Sequence, residues 1–133
     1  MPEPQHERFP KQARIKRQRD FDRAFRSGHV VADGVLVIHG TRNSSQRTRM
    51  GISISRRVGN AVARNYWKRI IREAFRKHQQ RLAVGLDLVI RPKKGASPDP
   101  HAVHAAIPEL VRRLVRRLPR DPISPAPISP DRK

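Results

Sequence analysis

The chain of 133 residues contains no cysteine, only one tryptophan and one tyrosine, and few acidic side chains. The absence of thiols excludes disulfides and thiolate metal sites, which fits a reducing cytoplasm. No apolar run approaches the roughly 20 residues that a membrane-spanning helix needs, and no apolar signal-peptide core follows Met1. The length favours a single domain, which we expect to be cytoplasmic.

The scarcity of acids leaves a strong positive charge. Thirty Lys and Arg residues stand against eleven Asp and Glu residues, which gives a formal net charge of +19. Such an imbalance destabilises a compact fold by self-repulsion and favours anionic partners. Nucleic acid and an anionic membrane surface both meet that description.

Few residues are available for catalysis by the protein itself. The acids form no paired-carboxylate motif suited to two-metal cleavage of a phosphodiester, and no nucleophile stands beside a base. His101 and His104 have a spacing that can hold a metal, but no third ligand is near them, so surface histidines are the better interpretation. We therefore predict no catalytic residue, no metal site and no protein-bound cofactor.

The most informative segment spans residues 56–76 and reads RRVGNAVARNYWKRIIREAFR. On a helical wheel its apolar side chains fall on one half and its cationic side chains on the other. The apolar half contains Val62, Ala63, Tyr66, Trp67, Ile70, Ile71 and Ala74. The polar half contains Arg64, Asn65, Lys68, Arg69, Arg72 and Arg76, and Glu73 is the only acid.

A run of charge is usually a solvated surface, yet this surface is almost uniformly positive. Like charges at helical spacing repel one another unless an anion compensates them. The pattern therefore favours binding of a polyanion. Asn60 is the expected N-cap of this helix.

The preceding strand, predicted over residues 49–55, alternates apolar and polar side chains. Met50, Ile52 and Ile54 should face the core. Ser53 and Ser55 should face the other side, where small hydroxyls can bond phosphate.

A first helix is predicted over residues 17–27, with Gly28 as its left-handed stop. Phe21, Ala24 and Phe25 share one face. Both rings can be core side chains. Alternatively, at least one ring borders a groove in which a single-stranded base stacks, an interaction worth about 1–3 kcal/mol per base.

The remaining elements complete an α+β fold of about four strands in one small sheet packed with three helices, in the order α-β-β-β-α-β-α. Further strands are predicted over residues 30–32, 35–39 and 86–91, and a last helix follows residues 97–100. The last helix has an apolar stripe opposite four arginines, which we expect to be solvated. Pro108 inside it either kinks the helix or starts a new one. Residues 1–13 should form a flexible arm, residues 14–118 the domain, and residues 119–133, with five prolines, a disordered tail.

The segment VGNAVARN, followed by KR and REAFR, resembles the arginine-rich signature of the protein component of bacterial ribonuclease P. RDFDRAFRSG resembles the first helix of that family, MGISISRRVGNAV its central strand, and DLVIRPKKG its last strand. The resemblance covers residues 14–118. One position departs from it: Tyr66 stands where the family usually has an arginine.

The resemblance implies a subunit of a ribonucleoprotein that removes the 5′ leader of precursor tRNA. The RNA subunit, with Mg²⁺ bound mainly by that RNA, would cut, and the protein would raise substrate affinity and lower the Mg²⁺ requirement. It also implies a left-handed βαβ crossover around the signature helix. The residues implied for binding the RNA subunit are Arg56, Arg57, Asn60, Arg64, Asn65, Lys68, Arg69, Arg72 and Arg76; those for the leader are Phe21, Phe25, Ser53 and Ser55.

Two other classes of protein have to be weighed against this one. A general RNA- or DNA-binding protein without a ribozyme partner has the same composition, and only the signature of residues 56–76 separates the two. A stand-alone nuclease is disfavoured because the acid cluster is missing. Membrane and obligate protein partners are not expected.

Overall fold

A four-stranded mixed sheet organises the chain. The computed structural model describes residues 11–119, so most of the predicted arm and all but the first residue of the predicted tail lie outside the described residues. In chain order the elements are α1 (Gln18–Arg26), β1 (Val30–Ala32), β2 (Leu36–Arg42), β3 (Arg49–Ile52), α2 (Ala61–His78), β4 (Leu86–Pro92) and α3 (Pro100–Arg117). This order confirms the predicted α+β class and the sequence α-β-β-β-α-β-α.

The strands lie in the order β1-β2-β4-β3. β2 pairs antiparallel with both β1 and β4, with Ile38 opposite Ile90. β3 pairs parallel with β4, with Met50 opposite Leu88. A parallel pair needs a crossover connection, and α2 supplies it. The left-handed sense of that crossover stays a prediction.

The main core lies between one face of the sheet and the pair α2 and α3. Because side chains alternate along a strand, Leu36 and Ile38 of β2 share this face with Leu88 and Ile90 of β4, and all four are fully buried. α3 lies very close to β2: a Cβ on Gly40 would stand 2.5 Å from Leu114 Cδ2. Trp67 and Phe75 of α2 complete the same cluster.

α1 covers part of the opposite face. Ala24 of α1 is fully buried against Val89 of β4 and Ile15 of the segment before the helix, and Phe21 and Phe25 pack beside them. Gly28 follows α1 with φ +78°, the left-handed stop expected from the sequence. The sheet is therefore the middle of three layers.

α3 runs without a break through Pro108, so no new helix starts there. A proline has no N–H for the carbonyl four residues earlier, which here belongs to His104. His78 Nε2 of α2 lies 3.1 Å from that carbonyl oxygen and 3.0 Å from His104 Nδ1. The α2 imidazole therefore occupies the place of the missing helical donor. Among residues 11–119, no helix is long and apolar enough to cross a membrane.

Both edges of the sheet are occupied by other parts of the chain. At the β3 edge, Arg14 forms a parallel bridge with Met50, and the Ile15 N–H donates to the Met50 carbonyl at 3.1 Å. At the β1 edge, Arg117 Nη1 donates to the Val30 carbonyl at 3.0 Å and Arg113 Nη1 to the Ala32 carbonyl at 3.3 Å. Two of the four α3 arginines expected to be solvated thus bond backbone.

The ordered part of the domain begins before the predicted boundary. Lys11–Ala13, assigned to the flexible arm from sequence, form a short 3-10 helix. Ala13 is only 2% exposed. Residues 11–13 therefore belong with the segment that caps the β3 edge rather than with a flexible arm.

Candidate nucleic-acid interface

The turn between β3 and α2 presents two arginines. β3 ends at Ile52, three residues earlier than the predicted strand, although the Ser53 N–H still donates to the Ile90 carbonyl at 3.0 Å. Ser55 Oγ accepts from the Arg57 N–H at 2.9 Å and caps a short 3-10 helix, Arg56–Val58. The Ser55 side chain therefore caps the turn. Because β3 has ended before Ser55, strand alternation does not place Ser55 on the same side of the sheet as Ser53.

The start of α2 is fixed by two local features. Asn60 Oδ1 accepts from the Ala63 N–H at 2.9 Å, so the predicted N-cap is confirmed. A Cβ on Gly59 would lie 2.9 Å from the Ala63 Cβ, so a larger residue there would press on the first turn. The cap keeps the exposed Arg56 and Arg57 directly before the helix.

α2 buries a narrower stripe than the one predicted. Its buried side chains are Trp67, Ile70, Ile71, Ala74 and Phe75. Val62 is 77% exposed and Tyr66 39% exposed, so their assignment to the apolar half was wrong. At about 100° per residue, Val62 lies roughly 140° from Trp67 and points away from the packed side.

The position of the buried stripe also decides the environment of the cationic side chains of α2. Arg64 and Lys68 lie nearer the buried stripe and are half-buried, whereas Asn65, Arg69 and Arg72 are exposed. Arg64 Nε is buried without a hydrogen-bond partner. A buried donor without an acceptor is costly.

Only one carboxylate on this helix opposes its charge. Arg69 Nε lies 3.8 Å from Glu73 Oε2, and both side chains are more than half exposed. An exposed pair of this kind contributes roughly 0.3–0.5 kcal/mol. We call the nine residues of the turn and α2 that the resemblance implies for the RNA subunit the signature surface: Arg56, Arg57, Asn60, Arg64, Asn65, Lys68, Arg69, Arg72 and Arg76.

Phe21 and Phe25 lie on the opposite face of the sheet from α2. A Cβ on Gly51 would stand 2.6 Å from Phe21 Cζ, so the Phe21 ring rests on the glycine backbone. The Phe25 ring meets His39 edge-on, with ring centroids 4.7 Å apart. Both phenylalanines are half-buried, so each ring packs on the sheet and keeps an exposed part.

A histidine and an arginine beside Phe25 were missed from sequence. Arg91 Nε donates to His39 Nε2 at 3.1 Å, which requires an unprotonated Nε2. Burial lowers the pKa of His39, and the Arg91 charge lowers it further. Period-two alternation places Arg91 and half-buried Ser53 on the α1 side of the sheet. We call Phe21, Phe25, His39, Ser53 and Arg91 the groove residues.

A buried carboxylate fixes α1 to the sheet. Asp87 on β4 is 0% exposed. Arg49 Nε donates to its Oδ1 at 2.8 Å, Arg23 Nη2 of α1 to its Oδ2 at 3.2 Å, and Asn43 Nδ2 to its Oδ1 at 2.9 Å. Because Arg23 lies on the helix that carries the two phenylalanines, this network joins that helix to β4. The sequence offered one signal of this network, which is an acid inside an apolar strand. A buried charge in that position needs partners.

The structure brings the predicted residues together in two places rather than one. The nine residues of the signature surface follow one another along the turn and α2. Phe21, Phe25 and Ser53 lie on the other side of the sheet, and Ser55 belongs to the turn. The individual roles of these signature and leader positions in binding RNA stay predictions.

Comparison with known proteins identifies the family. The family model described as Ribonuclease P matches residues 9–118. The ribonuclease P protein component of Desulfosudis oleivorans is 33% identical over 114 residues, which cover 85% of this chain and 94% of the relative. That of Thermotoga petrophila is also 33% identical, over 113 residues, with coverage of 81% and 97%.

Solved structures agree with that result. The chain superposes on the RNase P protein of Staphylococcus aureus with a TM-score of 0.68 and 31% identity, covering 76% of this chain and 94% of that one. The corresponding values for the RNase P protein of Thermotoga maritima are 0.67, 28%, 75% and 96%. The sequence match and the shared fold cover the same domain, and the chain belongs to the ribonuclease P protein family.

Proposed function

We propose that this chain is the protein subunit of a cytoplasmic ribonuclease P ribonucleoprotein, which removes the 5′ leader of precursor tRNA. The RNA subunit carries out the cleavage with Mg²⁺ that it binds mainly itself. The protein binds that RNA and the leader. It needs no cofactor of its own and no obligate protein partner.

The observation that carries the proposal is the signature surface. Its cations stand on the turn and on the capped helix α2, exposed or half-buried, and Glu73 is the only acid on that helix. Arginine forks pair with phosphate in bidentate geometry, and each phosphate contact releases counterions. The surface is therefore suited to the phosphate backbone of a folded RNA.

The groove residues suit a single strand better than a duplex. Phe21 and Phe25 offer partly exposed rings to a base, and Arg91 and Ser53 offer donors to a phosphate beside them. Stacking is tolerant of sequence because every base has a π-face. A leader of variable sequence, running between α1 and the sheet, is a ligand with that requirement.

Three acids of the domain have structural roles, which supports leaving the chemistry to the RNA. Asp87 is held by Arg49 and Arg23. Asp33 accepts from the N–H groups of Val35 and Leu36, and Asp99 caps α3. The contribution of the protein is then electrostatic. It neutralises charge where two polyanions meet, which raises substrate affinity and lowers the Mg²⁺ needed.

The test is cleavage of a 5′-leader precursor tRNA at low Mg²⁺. Three reactions are compared: bacterial ribonuclease P RNA alone, this protein alone, and the two together. We expect leader removal only in the combination. Cleavage by the protein alone would reveal an active site in the chain, and a mixture no more active than the RNA would favour a general RNA-binding protein.

A further inference from the structure

A second basic site lies away from the signature surface. A pocket of about 480 Å³ opens where the segment before α1 meets the start of β3. Its charged lining residues are Arg14, Lys16, Arg17, Arg19, Asp20 and Arg49. Five cations around one carboxylate make this N-terminal pocket strongly positive, and neither the signature surface nor the groove residues contribute a side chain to it.

The charges inside the pocket are unevenly compensated. Asp20 lies 3.5 Å from Arg49 and 3.4 Å from Arg23, so its carboxylate is already shared between two guanidinium groups. Arg49 is itself held by Asp87. Across residues 11–119, no carboxylate pairs with Lys16, Arg17 or Arg19, all of which are exposed. Like charges this close repel one another, and an anion in the pocket would relieve that repulsion.

The backbone around the pocket is held in place rather than loose. Ile15 is 6% exposed and its N–H is bonded to the Met50 carbonyl, so the residues on either side of it are anchored to the β3 edge. α1 starts at Gln18 without a side-chain cap, and its N-terminal N–H groups add a weaker attraction for an anion at the same end. The cations are thus displayed by fixed backbone, which reduces the ordering cost of binding.

The pocket and the signature surface cannot share one phosphate. Arg49 begins β3, and Arg56 lies seven residues further along the chain beyond its other end. At about 3.3 Å per extended residue, β3 alone separates Arg49 from Ile52 by roughly 10 Å, and the turn that carries Arg56 lies beyond Ile52. Phe21, seated on Gly51, also separates Arg49 from Ser53 on the α1 face. An RNA contacting the pocket must therefore do so with a different part of its backbone.

We propose that the N-terminal pocket binds a backbone phosphate of RNA, as an additional contact that does not involve the α2 helix or the groove residues. The proposal rests on the proposed function, because that function supplies the RNA. The phosphate belongs either to the ribonuclease P RNA or to the precursor tRNA. Lys16 and Arg19 supply the uncompensated charge, and Arg17 lines the pocket between them.

The test compares two double variants, each of which removes two positive charges. The pocket variant is Lys16→Gln with Arg19→Gln, and the matched control variant is Lys94→Gln with Arg116→Gln. All four side chains are exposed, so both variants should fold. Assembly with ribonuclease P RNA is measured against salt, and the assembled enzyme is titrated with precursor tRNA and with mature tRNA. Removing one phosphate contact should weaken one of these steps about tenfold, with a log–log salt dependence shallower by roughly 0.7–0.9.

The arms of the experiment distinguish the source of the phosphate. Weaker assembly assigns it to the ribonuclease P RNA, and weaker tRNA binding after normal assembly assigns it to the substrate. Equal affinities for the pocket variant and the control variant in every RNA arm would overturn the proposal.

A further measurement separates this proposal from the proposed function. Inorganic pyrophosphate is titrated into the isolated protein while the amide NMR signals of residues 18 and 19 are followed. We expect saturable shifts in the wild type and control that are absent in the pocket variant. If the wild-type protein does not stimulate ribonuclease P RNA, the proposed function fails. The pyrophosphate titration still tests the pocket in that case: unshifted Gln18 and Arg19 signals in the wild type would overturn the proposal that the pocket binds phosphate.

Discussion

Arg49 holds Asp87 with two nitrogen atoms, Nε donating to Oδ1 at 2.8 Å and Nη2 to Oδ2 at 2.5 Å. The two residues stand opposite each other on the parallel strands β3 and β4. Asp87 is fully buried, and its hydrogen bond raises the pKa of Arg49. This pair joins the crossover strands on the α1 side of the sheet, and Arg23 extends it to α1.

Replacing Asp87 with Asn should destabilise the domain strongly. The variant leaves Arg49 and Arg23 with the Asp20 carboxylate alone. Breaking a fully buried ion pair on one side costs roughly 3–5 kcal/mol, and a loss somewhat below that range is expected because both arginines are partly exposed. Urea unfolding measures the change. Asp22→Asn is the matched control: Asp22 is only half-buried and accepts from Gln18, so a change within about 0.5 kcal/mol is expected. Equal losses of unfolding free energy in both variants would show that the Asp87 network stabilises the domain no more than the Asp22 side chain does.

Arg69→Ala or Arg72→Ala should weaken assembly with ribonuclease P RNA, because each removes a cation from the signature surface. The dependence of log affinity on log salt should become less steep by just under one unit for each phosphate contact that is removed. Arg116→Ala on the exposed side of α3 is the control. An unchanged salt dependence in both α2 variants would contradict the assignment of this surface.

Phe21→Ala should lower the affinity of the assembled enzyme for leader-bearing precursor tRNA by roughly 1–3 kcal/mol, the value of one stacked base. Affinity for mature tRNA, which has no leader, should barely change. Because the ring also packs on Gly51, the unfolding free energy is measured alongside. Equal losses of affinity for both ligands would indicate a role in folding instead.

Gly51→Ala tests the same ring without removing it. The added methyl group would lie 2.6 Å from Phe21 Cζ and 3.2 Å from Ile15 Cβ, so the ring has to move. We expect weaker binding of the leader and a cost of roughly 1–3 kcal/mol in stability from overpacking. Gly34→Ala, where a Cβ meets nothing within 4 Å, serves as the control. A variant that binds the leader normally would show that the position of the Phe21 ring is unimportant.

Acidification should destabilise the protein through His78. Burial lowers its pKa from the usual 6.5, and the charges of His104 and Arg81 lower it further, against an opposing hydrogen bond to the His104 backbone. Below pH 6.5 the unfolded chain therefore takes up a proton before the folded chain does. Stability should fall as the pH drops from 6.5 through the lower folded-state pKa, and level off below it.

Thermal unfolding between pH 7.5 and pH 5 measures this effect. His78→Gln keeps a donor for the His104 carbonyl but cannot titrate, so its pH dependence should be shallower. His101→Gln, at an exposed position on α3, should keep the slope of the wild type. His39 shares the same direction of pKa shift, so a residual slope is expected in the His78 variant.

Local signals predicted much of this fold. The Asn60 cap, the Gly28 stop and the apolar stripe of α3 each depend on residues within a turn or two of one another, and all three occur as expected. Element order followed from the same signals. These features are encoded by short-range sterics and hydrogen bonding, which a single sequence displays directly.

Features that depend on distant partners were not predictable in the same way. Arg49 and Asp87 are 38 residues apart, and Arg23 and Asp87 are 64 apart. The donor that lets α3 continue through Pro108 comes from His78 on another helix. The buried side of α2 was displaced because α3 packs on a stripe centred near Trp67, Ile71 and Ala74, whereas a wheel alone includes Val62 and Tyr66.

The occupied sheet edges bear on how the free protein behaves before it meets RNA. An open edge strand is a template for pairing with another chain and is a common start of aggregation. Here the carbonyls of Val30 and Ala32 are engaged by Arg117 and Arg113, and Met50 is bridged by Arg14. The guanidinium groups of Arg113 and Arg117 therefore cover backbone carbonyls that another strand would need for pairing. Two copies could not join their sheets edge to edge without first breaking these bonds, and mutual repulsion would oppose the approach.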